Sequence, residues 1–282
     1  MDSSDMTLRG PAGDVAGTLR YIGNATVLIR WGDLTVLTDP NFIHRNEQLE
    51  IAPGVKATRL MDPAMEITDL PPIDLVVLSH FHADHFDQVA ERDLRKDVPI
   101  LTPPSAVEEL EERGFTAARG LDTWASEEIS AGESRIRITA VPGRHGPPVV
   151  DLLLPDVMGS ILDLDSPYGG SRIYISGDTL VFDDLHEIPR RYEGIDIGLL
   201  HLGGTKVGGI MVTMDGRQGL EALRIIDPER AIPIHFEDYD RFTSPLSEFL
   251  DEVRGAKLHD RVIVIPRGGT IAIGTPAAAR LA

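Results

Sequence analysis

Three histidines and one aspartate fall within six positions of this chain, in the segment HFHADH at residues 80–85. The segment directly follows the apolar run Leu75-Val76-Val77-Leu78, which is typical of a buried strand. Residues two apart on an extended chain point to the same side, so His80 and His82 are expected to face one point. The other two ligand-type residues follow after the chain turns and are expected to serve a second point nearby. Imidazole nitrogen and carboxylate oxygen form the ligand set of zinc, iron or manganese.

Three later strands are also predicted to end close to a residue that can bind a metal. These residues are His145, Asp178 and His235, and each follows a β-rich apolar run. In layered α/β proteins, ligands gather at the carboxyl ends of strands. The alternative is a solvated, histidine-rich turn, but so many ligand-type residues at the ends of buried strands would be costly to desolvate without a metal or partners.

The remaining pattern predicts a layered α/β fold in a single domain over residues 1–282. Two similar halves are expected, roughly residues 17–165 and 166–275, after a polar lead-in up to about residue 16. The first half opens with an antiparallel meander rather than a βαβ unit. Residues 41–72 are expected to be irregular, as a lid over the site or a structural wrap. The last strand is predicted at residues 262–265.

Composition excludes several functions. The chain has 282 residues, 42% of them hydrophobic, which is enough for a sizeable core, and it has no cysteine for a disulfide or a thiolate site. Its formal charge of -18 disfavours a nucleic-acid partner. No apolar run approaches a membrane span, and the first residues lack the basic and apolar regions of a signal peptide. We therefore expect a cytoplasmic protein with no membrane partner.

The segment at residues 80–85 matches the H-x-H-x-D-H signature of the metallo-β-lactamase-fold hydrolases, which this chain resembles from about residue 18 to residue 270. The later ligands of that family correspond in order and rough spacing to His145, Asp178 and His235. The stretch Tyr21–Ile29, together with Thr38-Asp39-Pro40, is similar to one branch of the family. That branch includes L-ascorbate-6-phosphate lactonase and N-acyl-phosphatidylethanolamine phospholipase D, and it often has Gly-His-Ala-Thr at the position of Gly23-Asn24-Ala25-Thr26.

The resemblance implies a four-layer αβ/βα sandwich with two divalent metal ions between its sheets. Zinc is the first expectation, with manganese or iron as alternatives. One ion would be bound by His80, His82 and His145. The other ion would be bound by Asp84, His85 and His235, and Asp178 would bridge the two.

Two metal ions that share a water lower its pKa to about 7, which would supply the attacking hydroxide. Asp84 and Asp178 are the expected catalytic carboxylates. The expected reaction is hydrolysis of a small ester-type bond, either a lactone or a phosphodiester, in a small-molecule substrate. A nuclease of the same fold is an alternative, but it would need a basic channel, and no run of basic residues is present. A non-catalytic metal-binding member of the fold is a further alternative. It predicts that some ligand residues have been lost, whereas all seven are present here.

Three further residues are candidates for supporting the site or contacting the substrate. Asn24 lies in the turn after the first strand, Asp39 ends the third strand, and His201 follows a later apolar strand. Asp39 is expected either to cap a turn or to orient a metal-binding histidine. Asn24 and His201 are candidate pocket contacts, with a turn asparagine and a structural histidine as the alternatives. The sequence is compatible with a homo-oligomer.

Overall fold

The computed structural model describes residues 16–52 and 54–276, and these form 18 β-strands and six α-helices. In chain order, the strands are β1 (Gly17–Gly23), β2 (Thr26–Trp31), β3 (Leu34–Thr38), β4 (Gln48–Ala52), β5 (Val55–Thr58), β6 (Leu75–Val77), β7 (Ile100–Thr102), β8 (Ala118–Gly120), β9 (Ser126–Ala131), β10 (Ser134–Pro142), β11 (Met158–Ser166), β12 (Gly169–Ile175), β13 (Ile197–His201), β14 (Lys206–Val207), β15 (Ile210–Met211), β16 (Arg230–Ile234), β17 (Thr270–Ile273) and β18 (Thr275–Pro276). The helices are α1 (Gln88–Asp93), α2 (Val107–Glu112), α3 (Pro148–Asp151), α4 (Glu187–Arg191), α5 (Gly216–Ile226) and α6 (Leu246–Gly255). The predicted lead-in lies outside the described residues, apart from Ala16.

Two large sheets organise the molecule. The first has the order β17-β1-β2-β3-β6-β7-β8, and the second has the order β16-β13-β12-β11-β10-β9 with β18 paired to β12. The antiparallel meander predicted for the start of the chain is present as β1, β2 and β3. From β3 to β8 the neighbouring strands are parallel, as are β12, β13 and β16. Of the strands that precede the candidate ligand residues, β6, β10 and β12 are flanked by strands on both sides, and β16 forms one edge of the second sheet.

Apolar side chains from both sheets meet in one buried cluster between them. Ile29 and Val36 of the first sheet share this cluster with Ile138 and Leu162 of the second, and all four are fully buried. Strand residues alternate between faces, so the opposite face of each sheet is free to pack against helices. The inner cluster fixes the two sheets face to face and so fixes the distance between their strand ends.

Helices cover the outer face of each sheet. On the second sheet, Leu220 and Leu223 of α5 belong to one buried cluster with Phe249 of α6 and with Tyr174 of β12. Residues three apart on α5 form its apolar stripe, and Asp215 begins that helix by accepting a hydrogen bond from the main-chain N of Gln218 at 2.9 Å. On the first sheet, α1 and α2 pack in the same way. The helix, sheet, sheet, helix order confirms the predicted four-layer α/β sandwich. None of the helices in the described ranges is long and apolar enough to cross a bilayer.

Residues 41–72 are more ordered than predicted. They contain the antiparallel hairpin β4–β5, and Leu49 and Ala57 of this hairpin are buried in a small cluster with Tyr239. The prediction of an irregular segment was therefore wrong for the hairpin. Its strands are only five and four residues long, so the hydrophobic alternation that identifies a strand extends over too few residues there.

The last strand lies later than predicted. Residues 262–265 form no ladder, and only one bridge joins Val262 to Ala231 beside the second sheet. The chain then crosses to the first sheet, where Gly268 and Gly269 bond to the main chain of Tyr21 and β17 pairs with β1. The second sheet also begins at β9, so the predicted boundary between halves near residue 165 falls inside it, between β11 and β12.

Asp87 fixes the start of α1 against the beginning of the 41–72 segment. One carboxylate oxygen accepts hydrogen bonds from the main-chain N of Val89 at 3.0 Å and of Ala90 at 2.9 Å. The other accepts from the main-chain N of Phe42 and from that of Ile43, the latter at 2.6 Å. Since Asp87 is 1% exposed, water cannot replace these bonds.

We predict that Asp87→Ala lowers the free energy of unfolding by about 3 kcal/mol, because it removes a helix cap and leaves buried N–H groups unpaired. Asp215 caps α5, and its side chain accepts only one main-chain hydrogen bond. Asp215→Ala should therefore lower the free energy of unfolding by about 1 kcal/mol. Urea unfolding of both variants measures the difference. Equal losses would show that the bonds to Phe42 and Ile43 add nothing.

Candidate metal centre

The loop after β6 presents four ligand-type side chains at the edge between the two sheets. The chain leaves β6, runs through His80 to His82, and then turns, with hydrogen bonds from the main-chain N of His85 and of Phe86 to the main-chain O of His82 at 2.9 and 2.8 Å. This turn brings Asp84 and His85 back beside His80. The imidazole centroids of His80 and His85 lie 4.1 Å apart.

His80, His82 and His145 form the first group. One ligand atom from each lies within 4.8 Å of the others, and Nε2 of His80 is 3.0 Å from Nδ1 of His82. Nδ1 of His145 lies 2.9 Å from the main-chain O of Val212. A carbonyl only accepts, so this nitrogen carries the proton and Nε2 keeps its lone pair.

Asp84, His85 and His235 form the second group, again with ligand atoms within 4.8 Å of one another. Oδ2 of Asp84 lies 3.5 Å from Nε2 of His235 and 4.0 Å from Nε2 of His85. Nδ1 of His235 donates to the main-chain O of Leu202 at 3.1 Å, which leaves its Nε2 free to bind. The structure thus forms the two groups that the resemblance implies.

Asp178 lies between these groups. Its Oδ1 is 3.5 Å from Nε2 of His85, and together with His80 and His85 it forms a third set within 4.8 Å. Its Oδ2 accepts a hydrogen bond from Oγ1 of Thr213 at 2.9 Å. One oxygen is therefore held by the protein, and the carboxylate lies close to ligand atoms of His80 in the first group and of His85 in the second.

The unpaired atoms test whether these residues fit a metal. Among the described residues, Nε2 of His85, Nε2 of His235 and Oδ1 of Asp178 are buried and have no hydrogen-bond partner. Buried polar atoms without partners are costly, and three that converge on one small space indicate a cation that would satisfy them together. The donor set is histidine nitrogen and carboxylate oxygen, which suits zinc, manganese or iron.

Other side chains orient the ligands from behind. Oγ of Ser79 lies 3.0 Å from Nδ1 of His80, and Oδ2 of Asp39 lies 3.3 Å from Nδ1 of His85. Asp39 is itself fixed, because its Oδ1 accepts a hydrogen bond from the main-chain N of Ser79 at 2.7 Å. Such contacts set the ring orientation and the tautomer of a ligand histidine.

The first group is neutral at physiological pH. Burial lowers the pKa of His80 well below its usual value, and the neighbouring His85 and His82 lower it further. Burial also lowers the pKa of His82 to about 4, with the nearby His145 acting in the same direction. Neutral imidazole is the form that binds a metal ion.

The second group carries compensating charges. Burial alone would lower the pKa of His85, but the carboxylates of Asp178, Asp39 and Asp84 raise it well above the usual range. Burial would raise the pKa of Asp178, but His235 and His85 hold it well below its usual value. Without a metal, protonated imidazoles balance the carboxylates, and a bound divalent cation would take the place of those protons.

Asn24, Asp39 and His201 all lie behind the ligands. Each is at most 1% exposed, so none lines the solvent side where a substrate would enter. His201 contacts Asp39 and Ser176, with its Nε2 3.4 Å from Oδ2 of Asp39 and its Nδ1 3.1 Å from Oγ of Ser176. The structure therefore favours supporting roles over pocket contacts for Asn24 and His201.

Sequence reasoning missed most of the supporting contacts. The main-chain carbonyls of Leu202 and Val212 leave no signal in the sequence, because any residue type supplies a carbonyl. Thr213, whose Oγ1 bonds to Asp178, belongs to no motif. The sequence also gave no sign that the short helix α3, directly after His145, would be so open. Its flanking apolar side chains Leu152 and Leu153 are 85% and 83% exposed.

Residues 35–236, which include all seven candidate ligands, match the family described as the beta-lactamase superfamily domain. The match covers well over half of the chain. This protein belongs to the beta-lactamase superfamily. The two facing sheets and the ligand positions at their strand ends agree with the metallo-β-lactamase fold.

Relatives described as metal-dependent hydrolases align with this chain over most of their length. A UPF0173 metal-dependent hydrolase from Pyrococcus furiosus is 24% identical, over 81% of this chain and 88% of its own length. Another from Opitutus terrae is 28% identical, over 84% of this chain and 92% of its own. The crystal structure of an isothiocyanate hydrolase from Delia radicum gut bacteria superposes with a TM-score of 0.76 at 22% identity, covering 92% of this chain and 100% of that one. This structural likeness shows the shared fold.

We predict that metal ions stabilise the protein through these ligands. Free Zn²⁺ at about 100 times its dissociation constant should add about 2.7 kcal/mol to the free energy of unfolding. The gain should fall sharply in His82→Ala, whereas His259→Ala, at an exposed histidine outside the groups, should keep it. Thermal unfolding with and without Zn²⁺ measures this. An undiminished gain in His82→Ala would remove His82 from the site.

Proposed function

We propose that this protein is a metal-dependent hydrolase that binds two divalent ions, zinc first among them, and cleaves a small ester-type bond. The observation that carries the proposal is the set of buried, unpaired ligand atoms on His85, His235 and Asp178, with the first histidine group beside them. The relatives from Pyrococcus furiosus and Opitutus terrae, both described as metal-dependent hydrolases, support the reaction type.

The metal ions would supply the activation of a water and the polarisation of the scissile bond. The chain supplies rigid ligands, whose tautomers are fixed by main-chain carbonyls and by Asp39. Access is from the side of His82 and Asp84. His82 is partly exposed and the side chain of Asp84 is 12% exposed, whereas that of His235 is 0% exposed. We assign to Asp84 the orientation of the attacking water, because His85 and His235 hold its pKa low and keep it ionised as an acceptor.

A cavity next to the His145 segment suggests the substrate. Its lining residue Asp151 accepts a hydrogen bond from the main-chain N of His145 at 2.8 Å, and none of the candidate ligands lines it. It measures about 360 Å³ and reaches Gly143, near His145, and Met158, whose main-chain N donates to the main-chain O of Ser79 at 2.8 Å. This is the size of a small-molecule site. Its acidic residues are Asp122, Asp151 and Asp156, and no lysine or arginine from the described ranges lines it.

Three carboxylates in the cavity would repel an anionic phosphodiester, whereas a neutral lactone or simple ester carries no such penalty. We therefore propose a neutral ester-type substrate, with the phosphodiester as the competing class. A nuclease would meet the same repulsion, increased by the net charge of -18.

We predict that Asp84→Asn lowers kcat by about 100-fold or more, because a neutral amide binds a divalent cation and orients the attacking water more weakly than the ionised carboxylate does. The substitution keeps the size of the side chain. Asp260→Asn, at a side chain that is 92% exposed, is the matched control and should leave kcat unchanged. Steady-state kinetics of the metal-loaded proteins measures both. If Asp84→Asn retains the kcat of the unchanged protein, the role assigned to Asp84 is wrong.

The reaction class is tested by stripping the protein of metal, reconstituting it with Zn²⁺ or Mn²⁺, and assaying lactones, phosphodiesters and an isothiocyanate in parallel. We expect metal-dependent turnover of a lactone, with phosphodiesters at least tenfold slower. Faster turnover of the phosphodiesters would overturn the substrate class. Two bound ions with no turnover of any class would favour a non-catalytic metal-binding protein.

A further inference from the structure

Asn24 connects two loops that carry candidate ligands of the same metal group. Its side-chain Nδ2 donates to the main-chain O of Asp84 at 2.6 Å, and its main-chain O accepts from the main-chain N of His235 at 2.9 Å. The Asp84 loop follows β6 of the first sheet, and His235 follows β16 of the second. One fully buried residue is thus bonded to ligand-bearing loops from both sheets.

The backbone at both ends of this connection is in the left-handed region. Asn24 has a φ of 52° and His235 has a φ of 59°. Asparagine adopts this conformation readily, whereas histidine does so at a cost that its surroundings must offset. The bond from His235 to Asn24 is one of the contacts that hold the ligand in this conformation.

Asn24 is held in turn by a buried ionic cluster. Its main-chain N donates to Oδ2 of Asp238 at 2.8 Å, and Oδ1 of Asp238 lies 3.0 Å from Nη2 of Arg59 and 2.8 Å from Nη1 of Arg267. The side chains of Asp238 and Arg59 are 0% exposed. Gly23 leaves room for this cluster, because a Cβ there would lie 1.9 Å from Nη1 of Arg267.

The cluster also reaches the ligand loop by a second route. Nη1 of Arg59 donates to Oη of Tyr239 at 3.2 Å, and Tyr239 donates to Oδ1 of Asn41 at 2.8 Å. Nδ2 of Asn41 lies 3.4 Å from the main-chain O of Ala83. The main-chain carbonyls of residues 83 and 84 therefore each accept from an asparagine amide, and Arg59 from the 41–72 segment connects to both.

We propose that Asn24 is a positioning residue, fixed by Asp238 and Arg59, that sets the spacing of Asp84 and His235 and so controls metal affinity at the second group alone. The inference rests on the proposed two-metal site. Asn24 makes no hydrogen bond to His80, His82 or His145, and the contacts that orient the rings of His80 and His145 come from Ser79 and Val212. Removing the amide should therefore weaken the binding of the ion at the second group and leave the binding of the other ion unchanged.

The test is a stepwise Zn²⁺ titration against a competing chelator. Asn24→Gly removes the amide without backbone strain, because glycine adopts positive φ freely. His235→Ala identifies which dissociation constant belongs to the second group. We expect Asn24→Gly to weaken that constant about 10- to 100-fold, as loss of a residue that orients a ligand typically does. The other constant should stay within about twofold. Asn46→Gly, at an exposed left-handed asparagine with a φ of 71°, should change neither constant.

Arg59→Lys is the second variant, which keeps the positive charge but loses the forked donor geometry. It should raise the dissociation constant of the second group by a smaller factor than Asn24→Gly does. If Asn24→Gly does not fold, the titration of Arg59→Lys tests the inference in its place. If the binding of both ions is weakened equally, or if neither dissociation constant changes, the inference is wrong while the two-metal proposal stays intact. A single bound ion in the unchanged protein would overturn the two-metal proposal, and this inference with it.

Discussion

The structure depends on holding carboxylates and imidazoles together out of water. His85, His235 and Asp178 are buried with unpaired ligand atoms, and this arrangement is costly unless the surrounding protein prevents the side chains from turning away. Two features prevent that. The strands that deliver the residues are fixed by the apolar cluster between the sheets, and the far side of each ligand is hydrogen-bonded to a carbonyl, a hydroxyl or Asp39. Free energy from the core thus maintains a site that is unfavourable by itself.

The candidate ligand residues could be identified from the sequence because they obey a rule that it displays. Each follows an apolar run, and buried strands of this fold class end at the same edge of their sheets. The layered α/β class could be predicted because its strands and helices differ in hydrophobic period, whereas the four-layer order came from the resemblance to the metallo-β-lactamase-fold hydrolases. The supporting contacts could not be predicted. The carbonyls of Leu202 and Val212 carry no side-chain signal, and the partnership of Asn24 with Asp84 joins residues 60 positions apart.

The errors have a common physical origin in segments whose packing partners lie in distant parts of the chain. Residues 262–265 are apolar enough for a strand, but Ile263 packs with the inner cluster and Val262 with the outer one while the chain crosses to the first sheet. The sequence of the 41–72 segment predicts irregular structure because the strands of its hairpin have only five and four residues. Leu49 and Ala57 pair with each other across the hairpin and pack with Tyr239, and Arg59, directly after the hairpin, pairs with Asp238. Local periodicity cannot report a contact made with a distant part of the chain.

For the 41–72 segment, these observations favour a structural wrap over a lid. A lid would be joined to the molecule by few and exposed contacts, because it has to open. This segment instead buries an arginine completely and connects it, through Asp238, Tyr239 and two asparagines, to the carbonyls beside the metal ligands. A buried charge that loses its partner is strongly destabilising, so this part of the segment is expected to stay in place while substrate enters. Substrate entry and selection would then depend on the exposed helix α3 and the acidic cavity next to it, which share Asp151, the hydrogen-bond partner of the His145 main chain. Substitutions there would change the substrate without disturbing the metal centre.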